Sequence, residues 1–161
     1  MDIYERAIDP LQYDKDDMNW RIEVKDSPIR RFFYHYIQKS KDQWKDAKIL
    51  DLGCGTGWLL SFMSEHTNFA EGVEPSKNNI KIAKKNYPEI KIYNCGFFEF
   101  ETKEKYNLII SAMVFTHFKD LKKAFKKCFD LLDQKGELQI LVPDFDYFKE
   151  DRFDYDIKVE E

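Results

Sequence analysis

The run Ile49-Leu50-Asp51-Leu52-Gly53-Cys54-Gly55-Thr56-Gly57 constrains this chain more than any other stretch. An apolar segment ends in glycines at alternate positions, and an amphipathic segment follows at once. Each glycine lacks a Cβ and tolerates positive φ, so the backbone can turn sharply and pass close to a bulky ligand. The turn also leaves unpaired N–H groups at the start of the next helix, a seat for a carboxylate or phosphate. A strand, a tight turn and a helix of this kind belong to a parallel sheet whose ligand lies across the strand ends.

The rest of the hydrophobic pattern agrees. Residues 48–53 read as a first strand and residues 57–65 as a helix burying Leu59, Phe62 and Met63. Residues 70–75 form a second strand. Ser76 caps a helix running to Tyr87, with Ile80, Ala83 and Tyr87 inward, and Pro88 ends it. A short third strand covers 90–94. The fourth, 106–113, carries Leu108-Ile109-Ile110, apolar enough for burial on both faces. Residues 119–132 make the clearest helix, with Leu121, Ala124, Phe125, Cys128 and Leu132 on one side. Gln134-Lys135-Gly136 then turns into a fifth strand, 137–143. Such repeated strand–helix units predict an α/β domain with helices on both faces of a mostly parallel sheet. Right-handed crossovers gather the strand C-termini on one edge, where ligands bind.

The flanks differ from this core. Residues 1–26 read as an irregular arm. Ser27-Pro28 then opens a helix whose stripe is Ile29, Phe32, Phe33, Tyr36 and Ile37. In residues 144–161 acids alternate with Phe145, Tyr147, Phe148, Phe153 and Tyr155, which predicts a segment partly ordered over the pocket mouth. The organisation is therefore an arm and helix (1–47), a core (48–143) and an acidic aromatic segment (144–161).

A chain of 161 residues suits one core. Its net charge of −4 supplies no basic field for nucleic acid or an anionic membrane. The mean hydropathy of −0.64 and the lack of a long apolar run exclude a spanning helix. Met1-Asp2-Ile3-Tyr4-Glu5-Arg6 has no signal-peptide core. Cys54, Cys95 and Cys128 make neither a disulfide framework nor a zinc pattern, so no metal is implied and a reducing, cytoplasmic setting is expected.

Glu74, at the end of the second strand, stands where an acid of a doubly wound sheet accepts both hydroxyls of a ribose. A nicotinamide cradle needs G-x-G-x-x-G, and Trp58 occupies the place of its third glycine. Taken together, Asp51-Leu52-Gly53-Cys54-Gly55-Thr56-Gly57, Gly72-Val73-Glu74-Pro75-Ser76 and Tyr106-Asn107-Leu108-Ile109-Ile110-Ser111 resemble the successive motifs of class I S-adenosylmethionine-dependent methyltransferases of the small-molecule type. The likeness runs from Lys48 to Pro143. It implies a Rossmann-like doubly wound sheet of order 3-2-1-4-5, with the last strands of the usual seven absent or incomplete. By the same resemblance S-adenosylmethionine is the cofactor and S-adenosylhomocysteine the product. Asp51 would hold the ammonium group, the turn Gly53, Cys54, Gly55, Thr56 and Gly57 would pack on the amino-acid part, and Glu74 would take the ribose. Pro75, Gly96 and Phe97 would border the adenine, and Ser111 and Ala112 would complete the cofactor-binding set.

Two positions depart from the family pattern. Gly96 stands where an acid usually meets the adenine amino group, leaving backbone groups and Phe97 stacking, at a cost of about 1–3 kcal/mol in affinity. Asn107 replaces a common Asp in a structural role. The reaction implied is attack by an O, N, S or C nucleophile on the sulfonium methyl. Alignment supplies most of the catalysis. His117, just after the fourth strand, is the candidate general base. The acceptor is expected to be a small molecule. The motif Ser111-Ala112-Met113-Val114 is unlike that of amino-methylating DNA enzymes, so no DNA partner is expected. A non-catalytic cofactor-binding module, or a fragment, is the alternative. An apolar fifth strand, Leu138-Gln139-Ile140-Leu141-Val142, left at an edge invites pairing with a second copy. His35 and His66 read as solvated or structural, and Lys119, Lys122, Lys123, Lys126 and Lys127 as a solvated helix face.

Overall fold

Central strands buried over nearly all their length must be covered on both faces, and the chain achieves this chiefly with helices. A computed structural model describes residues 44–142. The N-terminal arm, the helix after Ser27-Pro28 and the segment 144–161 lie outside the described residues. The element order is β1 (Ile49–Leu52), α1 (Trp58–Ser64), β2 (Ala70–Val73), α2 (Lys77–Asn86), β3 (Lys91–Tyr93), β4 (Tyr106–Ala112), a 3₁₀ turn (Phe115–His117), α3 (Leu121–Leu131) and β5 (Leu132–Leu141). The strands form a 5-stranded sheet of order β3-β2-β1-β4-β5, every pair parallel. This is the topology expected from the sequence.

Alternation along the strands divides the core. Ile49, Leu108 and Ile110 meet Leu59, Leu60 and Met63 of α1 and Ala83 of α2 on one face. Leu50, Leu52, Val73 and Ile109 meet Ala124, Cys128 and Leu131 of α3 on the other. Between β3 and β4 a loop replaces a helix, and its Phe97 and Phe100 cover the second face. The run Phe97-Phe98-Glu99-Phe100 carries enough aromatic surface to do what a helix does elsewhere.

Three details differ from expectation. On α3, Leu121 and Phe125 are each 47% exposed, and Leu131 rather than Leu132 completes the buried stripe. Asp120 sets that phase: its carboxylate accepts from Lys123 N at 2.9 Å and fixes the helix start at Leu121. Phe125 then lies to one side, its ring 5.0 Å from that of Phe115. In α1, Leu60 is fully buried while Phe62 is only partly so. The fifth strand begins at Leu132, paired with Tyr106, and the next pair is Leu108 with Glu137. The expected turn at Gln134-Lys135-Gly136 survives as a bulge inside the strand.

The strand order reverses at the β1/β4 junction. The chain leaves β1 toward α1 on one face and leaves β4 toward α3 on the other. Their C-terminal ends diverge and open a crevice there. At the opposite edge, Lys48 N donates to Asn107 Oδ1 at 2.8 Å and Asn107 N to Lys48 O at 2.9 Å, so Asn107 serves as a structural clasp.

Candidate functional site

The crevice begins where β1 ends. Gly53, Gly55 and Gly57 all take positive φ, at 72°, 53° and 81°. Gly53 N and Cys54 N both donate to Val73 O, at 2.8 and 3.1 Å, which folds the turn over the end of β2. A Cβ on Gly53 would overlap the Val114 side chain, and one on Gly57 would come within 2.6 Å of Ile90 Cδ1. A Cβ on Gly55 would meet nothing within 4 Å. The outer glycines are therefore needed for packing, and the middle one faces open space.

Glu74 is tied directly to that turn. Its Oε2 accepts from Gly55 N at 2.9 Å, and its Oε1 accepts from Ser76 N at 2.9 Å and Asn79 Nδ2 at 3.3 Å. The carboxylate is buried, 5% exposed, yet hydrogen-bonded on both oxygens. Ser76 earns its burial twice, since its hydroxyl also accepts from Asn79 N as the N-cap of α2. Asn94 Nδ2 donates to the carbonyls of Glu74 and Pro75, at 3.1 and 3.0 Å, and fixes the next loop alongside.

Asp51 behaves differently. It is 1% exposed and its Oδ2 has no hydrogen-bond partner. Burial, and then the nearby charge of Glu74, push its carboxyl up to about 8. A buried carboxyl in this state is complemented by a cation, and an ammonium group beside it would favour its ionised form. The same surroundings drive the Cys54 thiol far above its ordinary range, by burial first and then by the charges of Asp51 and Glu74. Cys54 is thus packing within the turn and not a nucleophile.

The remaining sequence-chosen residues fall on the same edge. Ser111 is fully buried at the end of β4 opposite Leu52, and its Oγ has no hydrogen-bond partner. Ala112 pairs with Leu141. Thr56 is half-buried in the turn, and His117 closes the 3₁₀ turn after β4, its N donating to Val114 O at 2.9 Å. Phe97 departs from its expected stacking role. Its ring is 5% exposed and packs on Phe98 and Phe118, with Lys127 Nζ 5.4 Å from its centroid. The ring is committed to the core.

The orphaned Asp51 oxygen, the open face of Gly55 and the Glu74 carboxylate all belong to the C-terminal ends of β1 and β2 and the turn between them. They fit a ligand with a cationic end and a hydroxyl-bearing end. Residues 19–156 match a family model described as a methyltransferase domain. The chain belongs to that family. An uncharacterized methyltransferase of Oceanobacillus iheyensis is 32% identical over 117 residues, which covers 70% of this chain and 55% of that protein. A ubiquinone biosynthesis O-methyltransferase of Coxiella burnetii is 28% identical over 99 residues, covering 58% of this chain and 42% of the relative. The methyltransferase domain thus spans about half the length of these curated relatives, or less.

Among solved structures, the plantazolicin methyltransferase BpumL in complex with S-adenosylhomocysteine superposes with a TM-score of 0.72 at 19% identity, over 92% of this chain and 62% of that one. The N-methyltransferase NodS of Bradyrhizobium japonicum, also with S-adenosylhomocysteine, gives 0.68 at 20% identity, over 83% and 71%. These likenesses establish the Rossmann-like class I fold for the methyltransferase domain.

Sequence reasoning missed four residues at this edge. Ser76 and Asn79 orient Glu74, Val114 packs against Gly53, and Met113 takes a φ of 64°. Ser76 was visible only as a cap. Nothing in a methionine signals left-handed backbone. A groove of about 780 Å³ lies between α3 and residues 98–103, and it shares no residue with the glycine turn or Glu74. Three of its four lysines are engaged already: Lys123 Nζ over the Phe98 ring, Lys126 with Asp130, and Lys127 on the carbonyls of Phe98 and Phe100.

Proposed function

We propose that this domain binds S-adenosylmethionine across the β1/β4 crevice and transfers its methyl group to an O, N, S or C nucleophile of a small molecule. The observation that carries this reading is the direct bond between Gly55 N and Glu74 Oε2 beside a buried, unpartnered Asp51 oxygen. When bound, the sulfonium supplies a methyl carbon that is already electrophilic. Asp51 takes up the ammonium group, the glycine turn lies against the amino-acid chain, and Glu74 accepts from the ribose. Pro75 and the backbone at Gly96 and Phe97 border the adenine, while Ser111 and Ala112 floor the crevice. Holding the acceptor in line can remove roughly 7–11 kcal/mol of barrier. In this reading His117, at the end of the 3₁₀ turn after β4, is the base that receives the acceptor's proton.

Membership of the methyltransferase-domain family supports this reading, as do neighbours solved with S-adenosylhomocysteine. No helix among the described residues is long and apolar enough to cross a membrane, and the free thiols Cys54, Cys95 and Cys128 accord with a reducing cytoplasm. Calorimetric titration with S-adenosylmethionine and S-adenosylhomocysteine is the test, and micromolar binding, about −8 kcal/mol, is expected. Failure of both compounds to bind would refute the assignment.

The sheet ends at β5 among the described residues, which favours a second reading: a cofactor-binding module without turnover, or one that pairs its fifth-strand edge with a second copy. Incubation with S-adenosylmethionine and a metabolite pool separates the two. Accumulating S-adenosylhomocysteine marks an enzyme, and binding without accumulation marks a module.

A further inference from the structure

We propose that the exposed flank of α3 is a docking surface for the chain's own segment 144–161, which lies outside the described residues. Leu121, Phe125 and Phe129 recur every four positions and so form one row along the helix. They are 47%, 47% and 78% exposed, while Ala124, Cys128 and Leu131 beside them fill the core. One exposed phenylalanine is ordinary, but a continuous apolar row along a helix marks a surface that something covers.

The direction of the row narrows the choice of occupant. Lys123 Nζ sits over the Phe98 ring and Lys127 Nζ donates to Phe98 O and Phe100 O, so these lysines mark one flank of α3. Leu121 and Phe125 lie two residues either side of Lys123, and Phe129 two beyond Lys127, which at about 100° per residue puts the row nearly half a turn away from them. The Phe100 ring packs 5.1 Å from that of Tyr93 in β3, so the loop under the lysines lies toward β3. The row therefore faces the other way, toward β5. Leu138 and Ile140 of β5 are themselves only partly buried against the same core cluster.

The two undescribed ends of the chain are not equal candidates. Residues 1–43 lead into Trp44, which is 3% exposed in the core cluster on the opposite face of the sheet. Segment 144–161 starts beside the row. Because β5 runs parallel to β4, the chain leaves Val142 at the edge where α3 begins. The 11 residues of α3 span about 16 Å, a length that about five extended residues cover. Composition agrees as well. Phe145, Tyr147, Phe148, Phe153 and Tyr155 supply apolar surface, and eight acids outnumber three bases. The row is bordered on its solvent side by Lys122 and Lys126, both exposed, which complement that negative charge.

Hydrogen exchange of the full chain, read by mass spectrometry, is the test, with light scattering to fix the number of copies. Amides in 144–161 should exchange roughly tenfold or more slowly than in a free peptide of that sequence, and Phe129→Ser should remove most of that protection. Phe129 is 78% exposed, so β1 and β4 should keep their native exchange in that variant. Lys122→Glu should erode the protection partway, and more at low salt than at high. Changing the five aromatics of the segment to serine should raise binding of an anilinonaphthalene sulfonate dye, and adding Phe129→Ser should lower it again. Free-peptide exchange in 144–161 of the native chain, or protection indifferent to Phe129→Ser, overturns the proposal. Protection that appears only as concentration rises, in a particle of two copies, gives the row to a second copy and overturns it equally.

Discussion

The main-chain N–H of Gly55 lies 2.9 Å from Oε2 of Glu74, so the end of β2 holds the turn after β1 in shape. One carboxylate thereby links the two ends of the crevice. Glu74→Ala would leave the N–H groups of Gly55 and Ser76 without that acceptor. Stability should fall by about 1–3 kcal/mol, and the dissociation constant for S-adenosylhomocysteine should rise roughly ten- to a hundredfold. Denaturant melts and calorimetry read the two effects separately. An unchanged affinity would place the sugar elsewhere.

The three turn glycines should fail in different ways. Gly57→Ala forces a side chain into a φ of 81° and against Ile90, 2.6 Å away, and should cost about 2–4 kcal/mol of stability. Gly53→Ala meets Val114 and should behave likewise. Gly55→Ala bears only the left-handed backbone strain, about 1–2 kcal/mol, because its Cβ points into open space. It should therefore fold and yet lose cofactor, since the new methyl group stands where the ligand must pass. Circular dichroism melts set beside titrations separate these outcomes. A Gly55→Ala domain that binds normally would show that the open space is not the cofactor's.

Much of this was legible in the sequence, and the boundary between what was and was not is physical. The alternation of strands and helices, the helix capped by Ser76 and the glycine turn follow from local chemistry (apolar patterning, an N-cap and residues without Cβ), whereas the strand order came from the family resemblance. Glu74 was legible as an acid at the ligand edge, but its bond to Gly55 depends on tertiary approach across 19 positions of chain. Phe97 looked like a stacking ring because composition cannot tell a core aromatic from a pocket one. The phase of α3 was misjudged because Leu121, Phe125 and Leu132 match the apolar period as well as the true stripe does. Only the cap at Asp120 and the entry into β5 decide between them.

At the opposite edge of the sheet, Glu71 makes a stability device. It is 8% exposed and accepts from Tyr93 at 3.2 Å and from the Tyr106 hydroxyl, while Lys91 Nζ pairs with it at 2.6 Å. Burial alone would raise its carboxyl, but the hydrogen bonds of Lys91 and Tyr106 and the charge of Lys91 outweigh that and hold it below its ordinary value. A depressed acid stabilises the fold above its unfolded value and loses that contribution as pH falls through the folded one. Glu71→Gln should thus be less stable at neutral pH by about 1–3 kcal/mol. The gap should close in acid, well below pH 4.5. Urea melts from pH 7 to pH 3 test this. A gap that stays constant with pH would mean that the charge of Glu71 is irrelevant.

Asp51 should give the opposite slope, and it connects stability to binding. Its folded value, about 8, lies above the ordinary 3.8, so between those limits the folded chain keeps a proton that the unfolded chain has released. Stability from this group is complete below about pH 4 and drains away as pH rises toward 8. Asp51→Asn, which cannot ionise, should flatten that limb of the stability profile. An ammonium group seated beside Oδ2 favours the ionised carboxylate, so cofactor binding near pH 7 should expel a proton. Calorimetry in buffers of differing ionisation enthalpy measures that proton directly. Release is expected from the native domain and should vanish in Asp51→Asn. Binding with no proton exchanged at pH 7 would mean that Asp51 is already ionised before the cofactor arrives, or that the ammonium group sits elsewhere. Asp51→Asn then separates the two: a lost affinity marks an ionised Asp51 that still holds the ammonium group, and an unchanged affinity removes the buried acid from the binding chemistry.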